Sequence, residues 1–382
     1  MLLDFVLTSH RLSKIPEGKM NGRQRILTAL QIEEPDRVPV WIHAINEKSV
    51  ISIARRILKN VPEYKPVNEM SPAEMMGLMN TLFGLHEILE IDGITSLDGS
   101  QLSGIRPVDK SHFYDSCGTL LERSPNGIAV VREAPIRSAK EVAGFRCPPL
   151  LPQEIFMLVS AKKRFQNQLA QFFLMRGTFV RMYRLRGMEN LFIDMIENPA
   201  TVHELAEKIV EYNLVLCDMV AEAGGDVFIV EDDIADKNGA LISPHHFDEF
   251  VAPYNRRVVE RAHQRGMKVI RHSDGNLWGT IDRLLEIGYD GLNPLEAAAA
   301  MTLLKVKEYC GDRLCLLGNI DCGNLLSNGS EQEVEAAVIQ AITDAGERGG
   351  YILCSSNSIH PGIKPEIFIA MVKAAKVHGQ YR

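Results

Sequence analysis

The chain has 382 residues, 46% of them hydrophobic and 24% charged, with a net charge of −7 at pH 7. This composition suits a folded, water-soluble protein, and its acidity without any basic stripe offers nucleic acid no electrostatic foothold. No apolar run reaches membrane-spanning length, and the seven cysteines form no C-x-x-C pair, which points to reduced thiols and a cytoplasmic setting.

The opening MLLDFVL is too short for a secretory core and lacks a basic flank. Residues 1–19 read as an N-terminal extension, because MNGRQRILTAL from Met20 has the spacing of an amphipathic helix. One domain is expected over residues 20–382. Within it a single unit recurs: a helical segment closes on Gly, a short apolar run follows, and polar residues come next. LEIDGITSLD, AEAGGDVFIVEDD, HQRGMKVIRHSDG, LEIGYDGLNPLE and GERGGYILCSSN all have this form. Gly suits the left-handed position that ends a helix, and the apolar run suits a strand buried on both faces of a parallel sheet.

Candidate strands fall at 38–42, 94–98, 172–175, 227–231, 268–272, 290–293, 314–318 and 351–354. Eight such units predict an α/β fold, a (β/α)8 TIM barrel with an N-terminal helical extension. Polar residues end nearly every strand, which favours a closed barrel over a doubly wound open sheet with one switch point. No G-x-G-x-x-G or Walker A sequence supports a nucleotide fold. Between the second and third strands, GTLLERSPNGIAVVRE places Asn126-Gly127 between two β-prone runs, predicting a β-hairpin insertion beside the barrel mouth.

In a barrel, residues at the C-terminal strand ends converge on one pocket. Here they are His43, Asp98, Arg176, Glu231, Asp232, Asp233, His272, Asp274, Asn293, Glu296, Asn319, Asp321, Cys354 and Asn357, with His360 in the following loop. His272 and Asp274 stand two apart, so their side chains can face one way and share a metal, and imidazole with carboxylate suits zinc. The competing reading makes Asp274 the N-cap of a helix over GNLWGTIDRLL. Glu231 is the further metal ligand offered by the EDD run, with Asp232 as an acid/base group. Three adjacent carboxylates cannot all face the pocket, so one is expected to be a solvated loop charge. Cys354 reads as a thiolate ligand or as core, and His360 as a mouth residue or a surface turn. Arg176, Arg181, Arg184 and Arg186 surround Tyr183 and form either a carboxylate clamp or a helix surface.

ILTALQIEEPDRVPVW, the I-S-P run before HHFDEF, the H-x-D-G strand end, LCLLGNIDC and the closing P-E-x-x-x-A-M segment together resemble the uroporphyrinogen decarboxylase superfamily. The resemblance runs from about residue 20 to the end and implies the same barrel fold. In the decarboxylases it implies an arginine-rich loop after the first strand, an aspartate ending the second, a tyrosine after the third, and a C-terminal histidine. Asp98 and Tyr183 match the aspartate and tyrosine. The loop 42–49, IHAINEKS, has no arginine, and Asn357 stands where the histidine is expected. The acidic arms of a porphyrinogen call for cationic partners.

The cobamide-dependent methyltransferase branch implies a zinc site of the form His-x-Cys plus a distant Cys. His272 matches its first ligand, while Asp274 and Asn357 occupy the cysteine positions. The wording HS-x-GN and GNID is nearest to relatives that remove methyl groups together with a corrinoid protein. The resemblance therefore implies a metal-assisted methyltransferase moving a methyl group between a small O- or N-methylated compound and a corrinoid protein. Its metal ligands are His272, Asp274 and Glu231, with zinc as the metal. Asp98, Tyr183, Asp232 and Asn357 are the catalytic candidates, and His43, Arg176, Asn319 and His360 contact the substrate. The alternatives are a metal-free decarboxylase of a porphyrinogen or smaller acid, and a non-catalytic tetrapyrrole or corrinoid binder. A homodimer is the assembly considered.

Overall fold

The computed structural model describes residues 19–99, 104–124 and 129–381. Seven parallel strands run in order around one sheet: Gly93–Leu97, Ala170–Arg176, Val227–Glu231, Lys268–His272, Gly291–Asn293, Cys315–Ile320 and Tyr351–Ser355. The predicted strand at 38–42 is instead an extended segment held by single bridges. Trp41 N donates to Leu353 O at 3.0 Å, Leu353 N to Pro39 O at 2.9 Å, and Asp92 N to Val40 O at 2.9 Å. The segment thus joins the last strand to the first and closes a (β/α)8 TIM barrel. Helices such as Pro199–Glu222, Ala252–Gln264 and Pro365–His378 form the outer layer.

Strand alternation sorts the core into two shells. Trp41, Phe172, Leu174, Val227, Ile229, Ile270, Leu317, Ile352 and Cys354 fill the lumen, with Trp41 and Phe172 stacked at 4.7 Å. The intervening residues pack against the helices. The predicted opening helix is Gly22–Ala29, capped by reciprocal bonds between Asn21 and Gln24. Its Ile26 and Ala29 join the lumen cluster and close the barrel floor. Beside them, Asp92 accepts from Arg37 Nη1 at 2.7 Å, Arg37 Nη2 at 2.9 Å, Arg25 Nη1 at 3.1 Å and Val40 N at 2.8 Å. This buried ionic knot ties the 38–42 segment to its neighbour.

The insertion is larger than one hairpin. Arg106–Pro107, His112–Tyr114, Leu120–Arg123 and Ala129–Glu133 form a four-stranded antiparallel sheet. The two runs expected to pair do so, while the Asn126-Gly127 turn and residues 1–18 lie outside the described residues. All seven cysteines are free thiols. No helix among the described residues is long and apolar enough to cross a membrane.

Candidate active site

The site is centred on His272, the last residue of its strand and 3% exposed. Parallel register places Asn293 beside it, and His272 Nδ1 lies 2.6 Å from Asn293 Oδ1. Asn293 Nδ2 donates to Leu317 O at 3.1 Å and to Cys354 Sγ at 3.3 Å, so its oxygen is the acceptor for an Nδ1–H. That tautomer leaves Nε2 as the free lone pair. The His43 ring stacks on His272 at 4.1 Å and 7°.

Four carboxylates surround this pair of imidazoles. Donor atoms of His43, Glu231 and His272 lie within 4.8 Å of one another, as do those of Asp233, His272 and Asp274. His272 belongs to both sets. Glu231 therefore groups with His43 rather than with Asp274, and Asp233 supplies the carboxylate beside Asp274. His272 Nε2 is 3.8 Å from Asp274 Oδ1. Glu296 Oε2 accepts from Gly275 N at 3.2 Å, next to the same group. Gly275 has φ of +88°, and a Cβ there would meet Asp236 O at 2.6 Å, so the H-x-D-G turn needs its glycine.

Burial pulls the His272 pKa down, but Asp274, Asp233, Glu231 and the Asn293 bond outweigh it and leave it raised. His43, buried and facing His272, is pushed well below the usual imidazole range. Burial pushes the Asp274 carboxyl up to about 6; His272 and the Asn357 bond oppose this, while Asp233 and Glu296 add to it. Asp274 does not cap a helix: the next one is Ile281–Ile287, preceded by Thr280.

Asp232 is not brought to the pocket with its neighbours. It is fully buried on the outer side of the strand end, where it accepts from Val180 N at 2.8 Å, Asn255 Nδ2 at 2.8 Å and Arg271 Nη1 at 3.0 Å. Its surroundings give it a structural role in place of the expected chemical one. One carboxylate of the three does turn away, but into the protein rather than into solvent. His360 is likewise engaged, with Nε2 3.1 Å from Cys322 O of the neighbouring strand-end loop and Nδ1 accepting from Gly362 N of its own at 3.1 Å. Asp321 holds the backbone of the loop after its strand, accepting from Gly323 N at 2.8 Å. Cys354 is core, fully buried in the lumen, with its thiol pushed up by burial.

Asp98, 1% exposed, is paired with Arg181 Nη2 at 2.8 Å. Tyr183 is half-buried; burial and Asp233 push its phenol up to about 12 against the opposing charges of Arg176 and Arg184. Asn319 Nδ2 donates to Leu295 O at 3.0 Å. Asn357 reaches Asp274 through its side-chain amide. Two contributors were missed as such in the sequence, Asp233 as the inward carboxylate and Asn293 as the support of His272. The parallel register His272–Asn293 was the available signal for the second.

The donor set suits a divalent cation. Two neutral-capable imidazoles and three carboxylates converge, and His43 Nδ1, Glu231 Oε2 and Asp274 Oδ1 are buried without a hydrogen-bond partner among the described residues. Orphaned buried acceptors are costly unless something binds them. A closed parallel barrel with such a cluster at its strand ends defines a barrel enzyme scaffold.

The profile of the family described as Uroporphyrinogen decarboxylase (URO-D) matches residues 114–378, and the chain belongs to that family. A uroporphyrinogen decarboxylase of Coxiella burnetii is 22% identical over 366 residues, covering 92% of this chain and 94% of its own. One of Thioalkalivibrio sulfidiphilus is 26% identical over 209 residues, 53% of this chain and 55% of its own. Among solved structures, a methyltransferase from Methanosarcina mazei superposes with a TM-score of 0.74 at 20% identity, covering 94% of this chain and 99% of its own. The likeness to that structure establishes the shared fold.

Proposed function

We propose that the protein is a metal-assisted methyltransferase that moves a methyl group between a small O- or N-methylated compound and a corrinoid carried by a partner protein. The observation that carries the reading is the convergence of His43, Glu231, Asp233 and Asp274 donor atoms on His272. A bound divalent ion, with zinc the first candidate, would supply Lewis acidity to the heteroatom bearing the methyl group. His272 presents Nε2 because Asn293 holds Nδ1. Asp274 Oδ1 and Glu231 Oε2 offer the neutralising charge, and Asn357 orients Asp274 through its other oxygen. Tyr183 keeps its proton at neutral pH, so its hydroxyl can donate to a heteroatom entering the pocket.

The decarboxylase reading draws on the names of the curated relatives. Against it stands Asp98, 1% exposed and with Oδ2 already held by Arg181. Elemental analysis of purified protein and zinc titration by calorimetry test the proposal. Stoichiometric zinc in wild type, lost in His272→Ala together with methyl transfer to a corrinoid protein, is the expected result. Equal zinc binding by both proteins refutes the metal reading.

A further inference from the structure

Next to the barrel mouth, a cleft of about 840 Å3 opens between the Ala129–Glu133 strand of the insert and the Thr178–Arg186 helix. Four arginines line it: Arg132, Arg137, Arg184 and Arg186. Three are accounted for. Arg132 Nε donates to Glu122 at 2.5 Å, Arg186 Nε donates to Asp194 at 2.7 Å, and the solvent-exposed Arg137 lies 3.5 Å from Glu133.

Arg184 differs. Its side chain is only 14% exposed, yet among the described residues its one ion pair is to Asp115 at 3.8 Å, too long for a hydrogen bond. Asp115 holds its own turn through Oδ1, accepting from Thr119 N at 2.8 Å and Cys117 N at 3.0 Å, and only its Oδ2 faces Arg184. Burial and the Arg176 charge lower the Arg184 pKa to about 10 despite Asp115 and Glu231, so the cation is under-compensated where it sits. A guanidinium withdrawn from water without a hydrogen-bonded anion is expensive, and its planar fork matches a carboxylate. Tyr183 lines the same cleft, and the helix that carries Tyr183 and Arg184 follows directly on the strand whose last residue, Arg176, lies in register beside Glu231, so cleft and His272 pocket adjoin.

We propose that Arg184 seats a carboxylate of the small-molecule substrate in this cleft, making the substrate class a methylated carboxylic acid. The methyl end of that description rests on the methyltransferase reading; the carboxylate site does not. Calorimetry on zinc-free protein with 4-methoxybenzoate and methoxyacetate, and with uncharged 4-methoxybenzyl alcohol, separates the two. Wild type and His272→Ala should bind a carboxylate probe alike and favour it over the alcohol. Arg184→Gln should bind it about tenfold or more weakly, the scale of a lost charge-assisted bond. Arg184→Lys, which keeps the charge without the fork, should fall between. The unliganded Tm of each variant reports its folding. The proposal is overturned if wild type binds neither acid, if the alcohol binds as tightly, or if folded Arg184→Gln binds like wild type. Loss of methyl transfer in His272→Ala with carboxylate binding intact bears on the metal reading alone.

Discussion

Asn357 Nδ2 donates to Asp274 Oδ2 at 2.7 Å, joining two loops that lie 83 residues apart in sequence. These are the two positions at which the family resemblance leads one to expect cysteine ligands. The replacements are therefore a matched pair: a carboxylate and the amide that orients it. The Asn357 oxygen is also used, accepting from Ser358 N at 2.6 Å, which leaves the amide as a support for Asp274.

The metal-free protein should pay for an ionised Asp274. Its folded pKa, about 6, lies above the ordinary carboxylate value of 3.8. The folded state therefore takes up this proton first, and the contribution of the group to stability rises as pH falls from 7 towards 4. Asp274→Asn should raise the Tm of EDTA-treated protein at pH 7, with the gain shrinking towards pH 4, while removing zinc affinity. A lower Tm at pH 7 would contradict this account.

Asn293 acts on the site through His272. Asn293→Ala removes the acceptor that sets the Nδ1–H tautomer, and losses of this kind cost about 10–100-fold in metal affinity. Calorimetric zinc titration of a variant with wild-type Tm should show that drop, and unchanged affinity would place tautomer control elsewhere.

At the barrel floor, Asp92→Asn leaves the buried Arg37 with a neutral partner, while Arg25 keeps its pair with Asp36. Removing one member of a buried ion pair costs about 3–5 kcal/mol. Urea denaturation should register that loss, whereas zinc affinity of the folded variant should be unaffected because the knot lies at the opposite end of the strands.

Uroporphyrinogen should be a poor substrate. The loop 42–49 has no arginine to meet acidic arms, and Asp98 is held by Arg181. A direct assay should detect little coproporphyrinogen, and robust formation would favour the decarboxylase reading.

Short apolar runs, five of them in the Gly-closed unit, made seven strands legible, because each signal is local. The 38–42 segment looked like a strand but forms no ladder for a local reason too. Pro39 has no N–H to give, and Val38 N is taken by Gly379 O at 2.8 Å. At the site, the strand-end rule collected the right neighbourhood but not each side chain's task. Which member of Glu231-Asp232-Asp233 turns away depends on Arg271, 39 residues on. The stacking of His43 on His272 joins distant strand ends and has no local signature. The sequence offers Arg176, Arg181, Arg184 and Arg186 alike as a carboxylate clamp, and the contact that sets Arg184 apart in the proposal, its 3.8 Å pair with Asp115, has no local signature.

The packed lumen, closed below by Ile26 and Ala29 and filled by Trp41 and Phe172, makes the His272 pocket a cul-de-sac. Among the described residues, the barrel floor offers no second way to it. The proposed small donor and protein-borne acceptor would therefore both have to approach from the strand-end side.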